Sequence, residues 1–139
     1  MKISTKGRYA LRLMIDLAEH DEDGYVSLKD IAERQEISVK YLEQIVTVLC
    51  KIGLLKSLRG SQGGYKLAKT PEEYTVGDIL RVIEGELVPV ACLEDEKNQC
   101  PRYSKCQTID FWHGLYDAVN KYVDSVTLAD LAKVTKDNV

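Results

Sequence analysis

Apolar residues recur at helical spacing in six stretches of the chain and at strand spacing in one short pair. Between residues 5 and 19, Tyr9, Ala10, Leu11, Leu13, Met14, Ile15, Leu17 and Ala18 nearly encircle a helix, leaving a polar stripe of Arg8, Arg12, Asp16 and Glu19. A helix of this kind is expected to be buried on several sides. Ser27 is placed to cap a second, short helix with Asp30 at its third position and Leu28, Ile31 and Ala32 facing inward. After the connector Gln35-Glu36-Ile37, Ser38 caps a third helix whose apolar face is Leu42, Ile45, Val46, Leu49 and Ile52, and Gly53 ends it. Leu54 to Arg59 and Tyr65 to Ala68 read as two short strands around Gly60-Ser61-Gln62-Gly63-Gly64. Thr75, with Asp78 three residues on, caps a fourth helix that carries Val76, Ile79, Leu80 and Ile83 and stops at Gly85. A long helix follows from about residue 108 to 126, striped by Phe111, Trp112, Leu115, Tyr116, Val119, Tyr122, Val123 and Val126. Thr127-Leu128-Ala129-Asp130 begins a last short helix, and the final residues are polar.

The order of these elements is informative. A short helix, a tight turn and a longer helix make a helix-turn-helix, and a glycine-rich hairpin after it makes a winged helix. In that arrangement the longer helix lies in the DNA major groove, with Ser38, Lys40, Tyr41, Glu43, Gln44 and Thr47 on its outer face. Their chemistry suits base edges and phosphates: Gln pairs bidentately with adenine, Glu accepts from cytosine, and Lys and Ser hold phosphate or guanine. A merely solvated face has the same composition. In the hairpin, Arg59 is placed to enter a narrow minor groove beside Ser61 and Gly63 of the tip; an ordinary tight turn accounts equally well for the glycines. The long stripe of the fifth helix exceeds what a small winged helix covers, which predicts a homodimer reading a two-fold site on double-stranded DNA. The expected fold is therefore mostly α with a small β-hairpin wing. Residues 1–85 form the winged helix-turn-helix, 86–107 a cysteine-rich loop, and 108–139 a dimerisation helix and tail.

Charge adds modest support. The 139 residues carry a net charge of −3, which alone argues against a nucleic-acid partner. Residues 1–69, however, hold 12 Lys and Arg against 9 Asp and Glu, whereas residues 70–139 hold 7 against 13. A phosphate-facing half joined to an acidic half has this imbalance. Arg12 and Asp16 interrupt the first apolar run, so the chain is expected to lack a signal peptide and a membrane span and to stay in the cytoplasm.

Three cysteines change the picture more. Cys92, Cys100 and Cys106 stand in a C-x7-C-x5-C spacing within a polar stretch that has no apolar periodicity and so reads as a loop. Thiols so close together are metal or cluster ligands, redox partners or chance neighbours. Cytoplasmic thiols are kept reduced, which favours a ligand role over a disulfide framework. Elsewhere, Cys50 reads as a small buried hydrophobe, Trp112 as packing, and His113 as a surface or interface residue that is also within reach of the loop. No phosphate loop and no nucleophile with a partnered base is present, so an enzyme is not expected.

Several segments together carry a family resemblance: Met1 to Leu17, Tyr41-Leu42-Glu43-Gln44, Arg59 to Tyr65, Val76-Gly77-Asp78-Ile79 and Thr127 to Leu131. Over nearly its whole length the chain resembles the Rrf-two family of bacterial winged-helix transcription regulators, and most closely its iron-sulfur-cluster-sensing branch. The resemblance implies a homodimer with crossed C-terminal helices, Glu43 and Gln44 in the major groove and Arg59 in the minor groove. It also implies that Cys92, Cys100 and Cys106 ligate an iron-sulfur cluster of the 2Fe-2S type in a repressor of cluster-assembly genes. The alternative is a cluster-free, zinc-binding or thiol-redox repressor of cysteine or sulfur metabolism. Two departures matter. Ile109 stands where that branch has a histidine ligand, and Arg8 stands where nitric-oxide-sensing relatives have an acidic one. The first cysteine gap is also longer than in that branch. The fourth ligand is thus open among Asp110, His113, the run Glu94-Asp95-Glu96, a residue of the other protomer and an exogenous thiol.

Overall fold

The computed structural model describes residues 1–94 and 100–133. Its elements run α1 (Thr5–Glu19), α2 (Leu28–Gln35), α3 (Val39–Lys51), β1 (Leu55–Leu58), β2 (Gly64–Leu67), α4 (Val76–Glu84), α5 (Ile109–Ser125) and α6 (Leu128–Ala132), with single 3-10 turns between some of them. The two strands pair antiparallel, Leu55 opposite Leu67 and Leu58 opposite Gly64. Val26 extends this sheet by one residue, exchanging two backbone hydrogen bonds of 2.8 Å with Tyr65.

Polar side chains start the helices where the sequence places them. The hydroxyls of Ser4, Ser27, Ser38, Thr75 and Thr127 each accept a backbone N–H three residues on. At Thr75 and Thr127 the aspartate at that third position returns the bond, completing a capping box. Replacing such a cap by alanine costs about 1 kcal/mol.

The core is assembled around α1. Ala10, Leu13, Met14 and Leu17 pack with Ile31 of α2, Leu42, Ile45 and Leu49 of α3, Leu55 and Leu67 of the hairpin, Ile79 of α4 and Leu128 of α6. Every one of those elements touches α1 or its direct neighbours, which is the multi-sided burial that its nearly continuous apolar surface predicts. Truncating one of these leucines or isoleucines to alanine costs about 2–5 kcal/mol.

Asp16 and Ile52 differ from the sequence reading. Asp16, grouped above with the polar stripe of α1, is only 1% exposed; its carboxylate is buried because α2 supplies partners for it. Ile52, assigned to the apolar face of α3, is exposed as the residue that closes the helix.

The last two helices differ in how they are held. α5 lies along α4, where Arg81 forms a two-pronged ion pair with Asp124 (2.7 and 2.9 Å) and donates to Asn120 at 2.7 Å. Gly77 allows this close approach, since a Cβ there would collide with the Asp124 carboxylate. α6 instead returns to the core, with Leu128 and Ala129 buried. Its entry pairs with the start of α4 through Val76 N–H to Val126 O and Leu128 N–H to Tyr74 O, each 2.9 Å. Among the described residues no helix is long and apolar enough to cross a membrane.

Candidate nucleic-acid interface and cysteine segment

The turn between α2 and α3 sets the pose of α3. Glu36 takes a left-handed conformation (φ 55°), Ile37 is buried beneath it, and Ser38 opens α3. Three groups of α1 and α2 hold this turn from behind. Arg34 grips Asp16 through two hydrogen bonds, Gln35 donates its amide to the same carboxylate at 3.0 Å, and Arg12 donates to the Gln35 backbone carbonyl. His20 also lies beside Asp16, 3.7 Å from its Oδ1. None of these four was assigned a role from sequence, because Asp16 reads as solvated until α2 is folded against it.

On the outer face of α3, Ser38, Lys40, Glu43, Gln44 and Thr47 are exposed. Two of them also serve the helix itself: Ser38 Oγ caps it, and Thr47 Oγ1 donates to Glu43 O at 2.7 Å. Lys40, Glu43 and Gln44 therefore remain the side chains best placed to meet a base edge or phosphate. Tyr41 does not share that face. Its half-buried ring stacks edge-on against Tyr9 of α1, with centroids 5.3 Å apart, and Tyr9 in turn carries the Arg12 guanidinium at 5.2 Å.

In the hairpin, Arg59 and Ser61 are exposed at the tip. Gly63 has an internal reason for being glycine: a Cβ at that position would strike the carbonyl of Leu58. Gly60, with φ 111°, supplies the positive backbone angle that the turn requires. At the opposite end of the hairpin, buried Tyr74 donates its hydroxyl to Leu54 O (2.6 Å) and accepts from the N–H groups of Ala68 (3.0 Å) and Lys69 (3.1 Å). Burial pushes this phenol above its ordinary pKa, so it remains protonated and able to donate.

The cysteine segment joins α4 to α5. Cys92 sits in a 3-10 turn (Ala91–Leu93), Cys106 closes another (Tyr103–Lys105), and Cys92, Cys100 and Cys106 are all half-buried. Cys106 Sγ lies 3.4 Å from the Thr108 hydroxyl. That hydroxyl, the backbone N–H groups of Thr108 and Ile109 and the Arg102 charge hold the Cys106 thiol below its ordinary pKa. Burial has the opposite effect on Cys50, which packs against the core from the end of α3 and is pushed up. Ile109, the first residue of α5, is buried, whereas Glu94, Asp110 and His113 are exposed. Asp95 and Glu96 lie outside the described residues. Three thiols fit an iron-sulfur cluster in kind. They do not fit it in position: among the described residues, no three Cys, His, Asp or Glu side chains converge as a metal site.

A profile described as "Iron-dependent Transcriptional regulator", that of the Rrf2 family, matches residues 3–134. This chain belongs to the Rrf2 family. Rrf2 membership makes it a DNA-binding transcription regulator rather than an enzyme, in keeping with the helix-turn-helix and wing. The HTH-type transcriptional regulator CymR of Bacillus subtilis (strain 168) is 47% identical over 135 residues, covering 97% of this chain and 92% of the relative. The solved structure of CymR, "the Global Cysteine Regulator of B. subtilis", superposes with a TM-score of 0.81 at 46% identity, over 98% of this chain and 99% of that one. The structure of T. potens IscR superposes at 0.72 with 41% identity, over 99% and 94%. The Rrf2 resemblance read from the sequence thus extends over the whole fold.

Proposed function

We propose that the protein is a homodimeric Rrf2-family repressor of iron-sulfur cluster assembly genes that reads its signal through Cys92, Cys100 and Cys106. On this reading Lys40, Glu43 and Gln44 meet the major groove, Ser38 meets a phosphate with its cap side chain or backbone, and Arg59 and Ser61 meet the minor groove from the wing. The observation that supports the sensing part is where the thiols lie along the chain, not how they converge. All three lie on the one segment that leads directly into α5, and Cys106, at the root of that helix, is held toward its thiolate form. On this reading Cys92, Cys100 and Cys106 would hold a 2Fe-2S cluster on the segment that leads into α5. The dimer itself rests on the apolar side of α5, where Phe111 is 64% and Tyr122 71% exposed in the single chain. Exposed aromatics of this size on one helix call for a covering partner, and a second copy offers the same surface.

A second reading has its own support. The similarity to CymR, together with the absence of a converged donor set among the described residues, favours a thiol-responsive repressor of cysteine or sulfur metabolism that binds DNA without a cluster. Anaerobic purification followed by visible spectroscopy and iron and sulfide analysis separates the two. A coloured protein with iron and acid-labile sulfide, bleached when any one of the three cysteines is removed, supports the cluster. A colourless protein that binds DNA and loses binding on thiol oxidation supports the second reading.

A further inference from the structure

The base of the wing is closed by a buried side chain that lies apart from the exposed face of α3 and the hairpin tip. β1 and β2 pair over only four residues each, and an isolated two-stranded hairpin of that length is not stable in water. Val26 braces one edge at Tyr65. At the open end, where the strands diverge toward α3 and α4, the backbone groups of Leu54, Ala68 and Lys69 all meet the Tyr74 hydroxyl. The Ala68 N–H also reaches Leu54 O at 3.3 Å, a longer contact than its bond to the phenol. One phenol thus satisfies an acceptor on one arm and two donors on the other. Tyr74 is 1% exposed, so water does not replace it there.

The anchor is itself fixed. Tyr74 O accepts the N–H of Leu128, and Thr75 bridges to Thr127, which ties the peptide of Tyr74 to the segment leaving α5. The hairpin is a lever whose far end carries Arg59. A small angular freedom at its base becomes a displacement of several ångströms at its tip, enough to lose a directed guanidinium contact.

We propose that Tyr74 is a positioning residue of the DNA interface: its hydroxyl locks the two arms of the wing at their base and thereby fixes where Arg59 points. This rests on the reading of Arg59 as a minor-groove contact. It goes beyond that reading by assigning the placement to a buried residue that touches no DNA. Burial of the ring in the hydrophobic core is common to Tyr and Phe, whereas the three hydrogen bonds belong to the hydroxyl alone.

The test is Tyr74→Phe in the full chain, read by amide hydrogen exchange and by binding to a duplex selected from a random-sequence pool by the unmodified protein. Exchange at Ala68, Lys69 and the strand amides should rise at least tenfold, with the α1 and α3 amides unchanged. Affinity for the duplex should fall by about the same factor as in Arg59→Ala, the salt slope should lose about one unit, and the double variant should bind no worse than Arg59→Ala alone. Unchanged exchange in the wing, or multiplicative losses in the double variant, overturns the proposal. An Arg59→Ala protein with unaltered affinity and salt slope would instead remove Arg59 from the interface, while the exchange experiment still decides whether the hydroxyl holds the wing. Should Tyr74→Phe prove unstable, Lys69→Pro, which deletes a single donor to the phenol and keeps the ring, must still raise exchange at Ala68 and the strand amides, and unchanged exchange there overturns the proposal.

Discussion

Arg34 reaches from α2 to Asp16 on α1 with both arms of its guanidinium, Nε at 3.0 Å from one carboxylate oxygen and Nη2 at 2.7 Å from the other. The two partners are unequal: Asp16 is 1% exposed and the Arg34 side chain 36%. Removing Arg34 leaves the buried carboxylate with the Gln35 amide but without the guanidinium charge that pairs it, which costs about 3 kcal/mol. Removing Asp16 leaves a cation able to turn into water, and the loss is closer to about 1–2 kcal/mol. Urea denaturation of Arg34→Ala and Asp16→Ala should therefore rank the arginine variant as the less stable. The reverse order would mean that the carboxylate is hydrated in solution.

Glu43 and Gln44 stand exposed near the start of α3. Because a glutamate accepts from the cytosine amino group and repels bases that offer only acceptors, Glu43→Ala should relax selectivity by about 1–3 kcal/mol per affected base pair while retaining general affinity. Competition binding against single-base variants of a selected duplex reads this directly. A uniform loss on all sequences would make Glu43 a scaffold residue.

Val119 lies on the half-buried apolar side of α5 between Leu115 and Tyr122. A carboxylate placed there would lie unpaired in the proposed protomer seam, at a cost of several kcal/mol. Val119→Asp is expected to sediment as a folded monomer with its DNA affinity sharply reduced. A monomeric unmodified protein would reject the proposed assembly outright.

Asp124 is held below the ordinary aspartate pKa, first by its hydrogen bonds from Arg81 and then by that residue's charge. A carboxyl depressed by folding adds stability above its unfolded pKa, and this is lost as pH falls through the folded value. The pair is partly exposed, so its worth is small, about 0.2–1 kcal/mol. Asp124→Asn should be less stable than the parent by that amount at neutral pH, and the gap should close once the pH drops below the usual aspartate range. A gap that is constant down to acid pH would assign the effect to packing against Gly77 instead.

In anaerobically purified protein, Cys100→Ala should abolish any cluster absorbance, whereas His113→Ala, which alters an exposed residue of α5, should leave the spectrum largely intact. Retained colour in the cysteine variant would exclude Cys100 as a ligand; bleaching in the histidine variant would make His113 the missing fourth one.

Local signals were the most legible part of the chain. The caps expected at Ser27, Ser38, Thr75 and Thr127 are formed, and the strand pair lies within one residue of its expected ends, because these features depend on neighbours in sequence. The apolar period of α1 likewise announced a helix buried on several sides. Long-range partners were less legible. Asp16 reads as solvated because the groups that desolvate it, Arg34 and Gln35, belong to another helix. Tyr41 reads as part of the outer face of α3, and its ring contact with Tyr9 is not legible because that partner belongs to another helix. Tyr74 carries no pattern at all, since a lone tyrosine before a capped helix does not say which carbonyl its hydroxyl will meet. For the cysteine segment the sequence supplies donor chemistry and spacing, and neither determines how the thiols converge.

The clasp between α4 and α5 has a consequence for how this segment tolerates change. Tyr116 of α5 donates to Glu86 just past α4 at 2.9 Å, Arg81 grips Asp124, and Ile109 is buried at the start of α5. Both roots of the intervening segment are thereby fixed to the same helix pair, independently of the chain that runs between them. For such a closed loop, even a doubling of length costs only about 0.6 kcal/mol. A change in the number of residues between Cys92 and Cys100 is therefore expected to leave both helices in place, so that the cysteine spacing is not tied to the geometry of the scaffold that reads DNA.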